Sequence, residues 1–97
     1  MEIITSNYEK IEKEKIEELK FPSTEVLITT DLINDRKKEL EKALSLGNLE
    51  QHKIRIYFED DTSKKVVETT VWGVTDKRVI LKKGVVIPIH RVHSIKL

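Results

Sequence analysis

Two histidines near the end of the chain come nearest to a reactive arrangement. His90 and His93 are three positions apart, but they lie in a predicted turn and strand, where that spacing does not align side chains as it does on a helix. A zinc site would need a third ligand, such as His52 or Glu68, to converge on them. We therefore interpret these histidines as surface or partly buried imidazoles rather than metal ligands.

No other group of residues suggests catalysis. The sequence has no cysteine, which excludes disulfides, thiolate nucleophiles and cysteine-ligated metals together. Ser94 lies beside His93 without the arrangement of a hydrolytic triad. Gly47, Gly73 and Gly84 are each explained by a turn or an element end, so no glycine-rich loop is present to hold a phosphate. We predict a protein that is not an enzyme, with no cofactor, no metal and no small-molecule substrate.

Basic and aromatic residues offer a candidate binding surface instead. Strand alternation places Lys53, Arg55 and Tyr57 on the outer face of one predicted strand. Cations that follow phosphates and rings that stack on bases suit single-stranded nucleic acid. Trp72 leaves two alternatives, because either the N-terminal helices cover its ring or the ring is exposed for stacking. The candidate residues for binding nucleic acid or a partner are Lys53, Arg55, Tyr57, Trp72, Arg78, Lys82, His90, Arg91 and His93.

The charges are divided unevenly along the chain. Its 97 residues include 18 Lys and Arg and 17 Asp and Glu, for a net charge of +1. Residues 1–50 hold eight basic and twelve acidic residues, whereas residues 51–97 hold ten and five. Two interpretations stay open. Helices favour Glu while strand edges carry Lys as protection against pairing, or the basic half faces an anionic partner.

The first half of the chain is predicted to be helical. Residues 6–9, Ser-Asn-Tyr-Glu, fit a capping box, and a helix over 7–20 follows it. Residues 23–30 fit either a strand or the beginning of the next helix. That helix is predicted from Asp31 onward, and Gly47 is expected to close it in the left-handed conformation.

After residue 51 the apolar residues recur with a period of two, as in strands. Five strands follow one another without a crossover helix, so their sheet is predicted to be antiparallel. Gly73 and Pro88 predict sharp bends, which favour a partly closed small barrel. We thus predict one α+β domain over 1–97, with one or two helices in 1–50 and a five-stranded antiparallel small barrel in 51–97.

This order of elements resembles the Sm-like small barrel and, more loosely, SH3-like barrels. The segment from Val79 to Ile95, VILKKGVVIPIHRVHSI, carries most of the resemblance. In Sm-like proteins the turn before the last strand lines an RNA site, and the last two strands join neighbouring subunits into a ring. The resemblance therefore implies RNA binding around Ile89 to His93 and self-assembly through the last strands.

Two functions follow as hypotheses. The first is a non-enzymatic interaction module that binds another protein or assembles with itself, through the edge near Pro88 or the acidic helices. The alternative is a regulatory protein that binds RNA or single-stranded nucleic acid with its basic face. No stretch approaches the roughly 20 apolar residues of a membrane span, and the residues after Met1 do not form a signal peptide. We expect no membrane partner and a cytoplasmic location.

Overall fold

One long helix packs against two small β-sheets in the computed structural model, which describes residues 8–50 and 52–97. The helix is α1 (Thr30–Glu50), and short 3-10 helices cover Lys13–Glu18, Lys82–Gly84 and Ile89–Arg91. The strands are β1 (Glu9–Lys10), β2 (Ile54–Glu59), β3 (Lys64–Thr69), β4 (Val71–Val74), β5 (Arg78–Leu81), β6 (Val86–Pro88) and β7 (Val92–Lys96).

The predicted α+β class is confirmed, but the strands form two sheets and not a closed barrel. The first sheet has the order β1-β3-β2-β7, with β1 parallel to β3 and the other pairs antiparallel. The second sheet has the antiparallel order β4-β5-β6. Pro88 lies on the edge strand β6, as its missing amide donor predicts.

The number of strands was predicted wrongly, since the described residues form seven strands and not five. The segment from Lys65 to Val74, whose residues favour a single strand, is divided at Thr70 into β3 and β4, which belong to different sheets. Thr69, Thr70 and Val71 are all buried, so the inward and outward alternation stops there. The chain bends at this point and folds the second sheet over the core.

The helix predicted over 7–20 is wrong. Glu9 and Lys10 pair in parallel with β3, the amide of Ile11 donates to the carbonyl of Val66 at 3.0 Å, and only a 3-10 helix follows. The apolar residues explain the difference, because the chain buries Ile16 in the core by closing over the first sheet. Tertiary burial here overrides helix propensity. Ser6, part of the expected capping box, lies outside the described residues.

The second predicted helix is confirmed as α1. It begins at Thr30, just after Thr29, whose Oγ1 accepts a hydrogen bond from the Leu32 amide at 3.1 Å. Gly47 does not end this helix, as the sequence had suggested, but lies inside it and is buried. A Cβ at Gly47 would collide with the carbonyl oxygen of Val71. Glycine is needed because the helix backbone approaches β4 closely.

The core lies between α1 and the inner faces of both sheets. The period-two pattern holds in β2 for Ile54, Ile56 and Phe58, which are buried, and for Arg55, which is exposed. Tyr57, predicted to face outward with Arg55, is buried as well. The buried apolar residues are Ile16, Leu40, Ala43, Ile54, Ile56, Phe58, Val67, Val71, Val79, Leu81, Val85, Ile87, Val92 and Ile95. Of the helices in the described part of the chain, none has the length and apolar composition that a membrane crossing requires.

The contact at Gly47 gives the first test. Alanine is the better helix former by about 1 kcal/mol, yet Gly47→Ala should lower the free energy of unfolding by about 1–3 kcal/mol because its methyl group overpacks against β4. Asn48→Ala, at the neighbouring exposed position, is the matched control and should be neutral or slightly stabilising. Urea unfolding followed by circular dichroism measures both, and a stabilised Gly47→Ala would contradict the contact.

Candidate interaction surface

The predicted RNA-binding turn is engaged in contacts within the chain. Arg91 is only 6% exposed, and its guanidinium donates to three main-chain carbonyl oxygens. These belong to Glu59 at 3.1 Å, Thr24 at 2.8 Å and Asp60 at 3.3 Å. A buried cation that is satisfied in this way holds three segments of the chain together.

The two histidines of this turn also bond within the molecule. His90 Nε2 lies 2.9 Å from the carbonyl oxygen of Pro22, which can only accept, so this ring nitrogen donates. His93 Nε2 lies 2.9 Å from a carboxylate oxygen of Glu59. The turn before the last strand is therefore built into the fold through its hydrogen-bonding groups.

Helix α1 covers the free edge of β7. Arg36 donates to the carbonyl of Val92 at 3.0 Å and forms a two-pronged ion pair with Glu25, both contacts at 2.7 Å. Glu39 accepts a hydrogen bond from the amide of Ile95 at 3.0 Å. Covered in this way, the edge lacks the row of unpaired main-chain groups that strand addition uses. Sequence reasoning did not find Arg36, because nothing in a helical pattern distinguishes a buried arginine from an exposed one.

Asp60 is a second residue whose role only the structure reveals. It is 3% exposed, accepts from the amides of Thr62 and Ser63 at 3.0 and 2.9 Å, and pairs with Lys65 at 3.1 Å. Burial raises the pKa of Asp60, but the two amides and the Lys65 ammonium lower it by more, so the pKa lies below its ordinary value.

Three of the candidate residues lie on the first sheet. Lys53 and Arg55 are exposed, whereas Tyr57 is buried and packs edge-to-face with Tyr8, with ring centres 4.9 Å apart. They border an open groove of about 710 Å³. Carboxylates share this groove with the cations, so its charge is mixed. The residues that line it are Tyr8, Lys10, Ile11, Glu12, Lys13, Glu14, Lys53, Arg55, Tyr57, Val66 and Glu68.

Trp72 is exposed, which decides between the two alternatives that the sequence left open. Val71 pairs with Leu81 and Gly73 with Ile80, so Trp72 is the additional residue of a β-bulge in β4. Its side chain is 52% exposed. Because the inner side of this sheet is packed on the core, the exposed ring lies on the outer side.

The outer side of the second sheet brings Trp72 together with two further candidate residues. Val79 and Leu81 of β5 point into the core, so Arg78, Ile80 and Lys82 point outward. We call this surface the Trp72 face, which consists of Trp72, Gly73, Arg78, Ile80, Lys82 and Val86.

The Trp72 face has an apolar centre with cations at its margin. Ile80 is paired with Gly73 on one side and Val86 on the other, while Arg78 and Lys82 are exposed. Neither cation forms an ion pair with any of the residues that the structure describes. The face can therefore supply both apolar contact and positive charge to a ligand.

Comparison with known proteins adds no relative, since no family model, curated protein or solved structure matches this chain. Within residues 8–50 and 52–97, no group of three or more histidines and carboxylates could hold a metal ion.

Arg91 provides a test of the structural role of the turn. Arg91→Met keeps much of the side-chain volume but leaves buried carbonyl oxygens without donors, and should cost about 3 kcal/mol of unfolding free energy. Arg78→Met, at an exposed position, is the matched control and should change it by less than about 0.5 kcal/mol. If both variants changed the unfolding free energy equally in urea unfolding, the hydrogen bonds of Arg91 would not hold the three segments together.

Asp60 provides a test by pH. A lowered folded-state pKa stabilises the fold above the unfolded pKa, and this stability is lost as pH falls through the folded value. Asp60→Asn should therefore be less stable than wild type near neutral pH, and the difference should shrink below about pH 4. Urea unfolding at several pH values measures the difference in unfolding free energy between wild type and Asp60→Asn. Asp61→Asn is the control, because it also removes a carboxylate but not one that pairs with Lys65. A pH-independent difference would contradict this assignment.

Proposed function

We propose that this protein is a non-enzymatic interaction module that binds another protein through the Trp72 face. The observation that carries the proposal is the exposed ring of Trp72, the only tryptophan of the chain. Tryptophan is enriched among the few residues that dominate binding energy at protein interfaces. A contiguous apolar patch rimmed by polar residues marks an interaction site, and Trp72 shares its side of the sheet with Ile80 and Val86.

Because the sheet holds the Trp72 face in place, binding at this face costs little conformational entropy. Trp72 stands on a bulge whose neighbouring residues are held by β5, and the inner side of that strand is buried at Val79 and Leu81. A ring on a rigid strand gives up less conformational freedom on binding than a ring on a mobile loop. The bulge thus presents the indole in advance of the encounter.

The geometry supports the nucleic-acid alternative less well. Proteins that bind single strands offer several rings on which successive bases stack, whereas the centre of this face is aliphatic beyond Trp72, with Ile80 and Val86. Arg91 and both histidines of the last turn are engaged internally. The cations of the first sheet share their groove with carboxylates, which weakens the attraction for phosphates.

We also propose that the fold of this protein is related to the small barrels. Where β3 and β4 are taken as one strand bent at Thr70, the strands follow the order β7-β2-β3/β4-β5-β6. The amide of Ile89 donates to the carbonyl of Lys77 at 2.9 Å as the chain leaves β6. These features support an open variant of the Sm-like and SH3-like arrangement, in which α1 takes the place beside β7.

Selection of binding peptides from a display library tests the proposal. Wild-type protein should enrich peptides whose binding weakens about tenfold or more in Trp72→Ala. Ile28→Ala is the matched control, since Ile28 is 89% exposed but lies in the segment before α1 and belongs to neither sheet. Fluorescence of Trp72 should change on binding, because no other tryptophan contributes.

Labelled single-stranded RNA and DNA are titrated in parallel at increasing salt. Binding that falls steeply with salt and persists in Trp72→Ala, with no peptide enriched, would favour nucleic-acid recognition and overturn the proposal. A dimer that forms in sedimentation velocity independently of Trp72 would instead place the main interface elsewhere on the chain.

A further inference from the structure

Two exposed cations of the Trp72 face lie on either side of Ile80. Arg78 begins β5, and Lys82 directly follows this strand as the first residue of the 3-10 helix Lys82–Gly84. The two are four residues apart, with Ile80 midway between them. The alternation continues through Lys82, because its amide donates to the carbonyl of Thr70 at 2.9 Å, as in a continuing strand. At a rise of about 3.3 Å per residue, the two cations are about 13 Å apart along the backbone.

The chain on either side of these cations is also basic. Lys77 and Lys83 flank β5 and are exposed, whereas Asp76 is the only acidic residue between positions 70 and 90. From the first 3-10 helix, Glu14 interacts electrostatically with Lys83, and Glu17 borders Val86. Of the described residues, none forms an ion pair with Arg78 or Lys82. A partner with complementary charge is favoured at such a surface, and like charge is disfavoured.

A second copy of the chain does not fit well when the same face of both copies meets on a twofold axis. Two copies related by a twofold axis would bring the same patch against itself, with the cations at the margin of each face opposed to those of the other. A nucleic acid matches the charge but would set Ile80 against bases without offering them a further ring. A protein segment that carries both carboxylates and an apolar side chain matches the charge and the apolar centre together.

Resting on the proposed function, we propose that the partner contributes an extended acidic segment of the pattern acid–x–apolar–x–acid. Such a segment rises by the same distance per residue as β5, so its two carboxylates reach Arg78 and Lys82 while its central apolar side chain packs on Ile80 beside Trp72. In a helix with the same four-residue spacing, the backbone rises only about 6 Å between the two acidic residues. A helix therefore matches the separation of the two cations less well than an extended segment does.

Three labelled, end-capped peptides test the segment by fluorescence anisotropy. The first has the sequence Glu-Thr-Leu-Thr-Glu, the second has the same composition with the two glutamates adjacent, and the third replaces both glutamates by lysine. The first should bind, the second about twofold to fivefold more weakly because one exposed ion pair is lost, and the third should not bind. Quenching of Trp72 by acrylamide should decrease when the first peptide covers the face.

Charge reversal supplies the decisive comparison. The double variant Arg78→Glu with Lys82→Glu should lose the glutamate peptide and gain the lysine peptide. The matched control, Lys53→Glu with Arg55→Glu on the other sheet, should keep the wild-type preference. Thermal unfolding of both double variants shows that each is folded.

The outcomes separate this inference from the proposed function. If the library enriches peptides that depend on Trp72 but charge reversal leaves their binding unchanged, the acidic segment is overturned and the interaction module stands. If Trp72→Ala changes no peptide binding, the proposed function is overturned as well. An oligonucleotide that loses binding through the Arg78 and Lys82 reversal, when none of the three peptides binds, would assign the face to nucleic acid.

Discussion

The buried guanidinium of Arg91 is the interaction on which the arrangement of the chain depends. It donates to carbonyl oxygens at the end of β2 and in the segment before α1, which are separated from it by 32 and 67 residues. A buried cation that lost these partners would cost several kcal/mol. Arg36 has a related role, since it connects α1 to both Glu25 and β7.

These two arginines also determine which groups of the first sheet are engaged within the chain. Arg91 occupies the turn before β7, and Arg36 together with Glu39 covers the edge of β7. The first sheet therefore offers a partner few free groups apart from a groove of mixed charge. On the second sheet, the bulge at Trp72 turns an aromatic ring outward beside cations that have no ion-pair partner among the described residues.

The period of the apolar residues predicted the strands that are buried on one side only. Arg78 to Leu81 and Val86 to Pro88 alternate as expected, because one side of each meets the core. The prediction was wrong for residues 7–20, where Glu and Lys favour a helix locally but burial of Ile16 favours a short 3-10 helix against β3. The prediction was also wrong at Thr70, where the chain bends. Consecutive residues are buried at such a bend, so the alternation of buried and exposed residues stops there.

The amino-acid sequence by itself determined the α+β class, the inward faces of the strands and the excess of positive charge after residue 51, because each of these depends on neighbouring residues. Only the tertiary structure decided which cations are available. Arg78 and Arg91 are the same residue type in the same basic half, yet one is exposed and the other is enclosed by Thr24 and Glu59. The physical reason is that a side chain is enclosed by residues distant in sequence, whose positions follow from the packing of the whole chain.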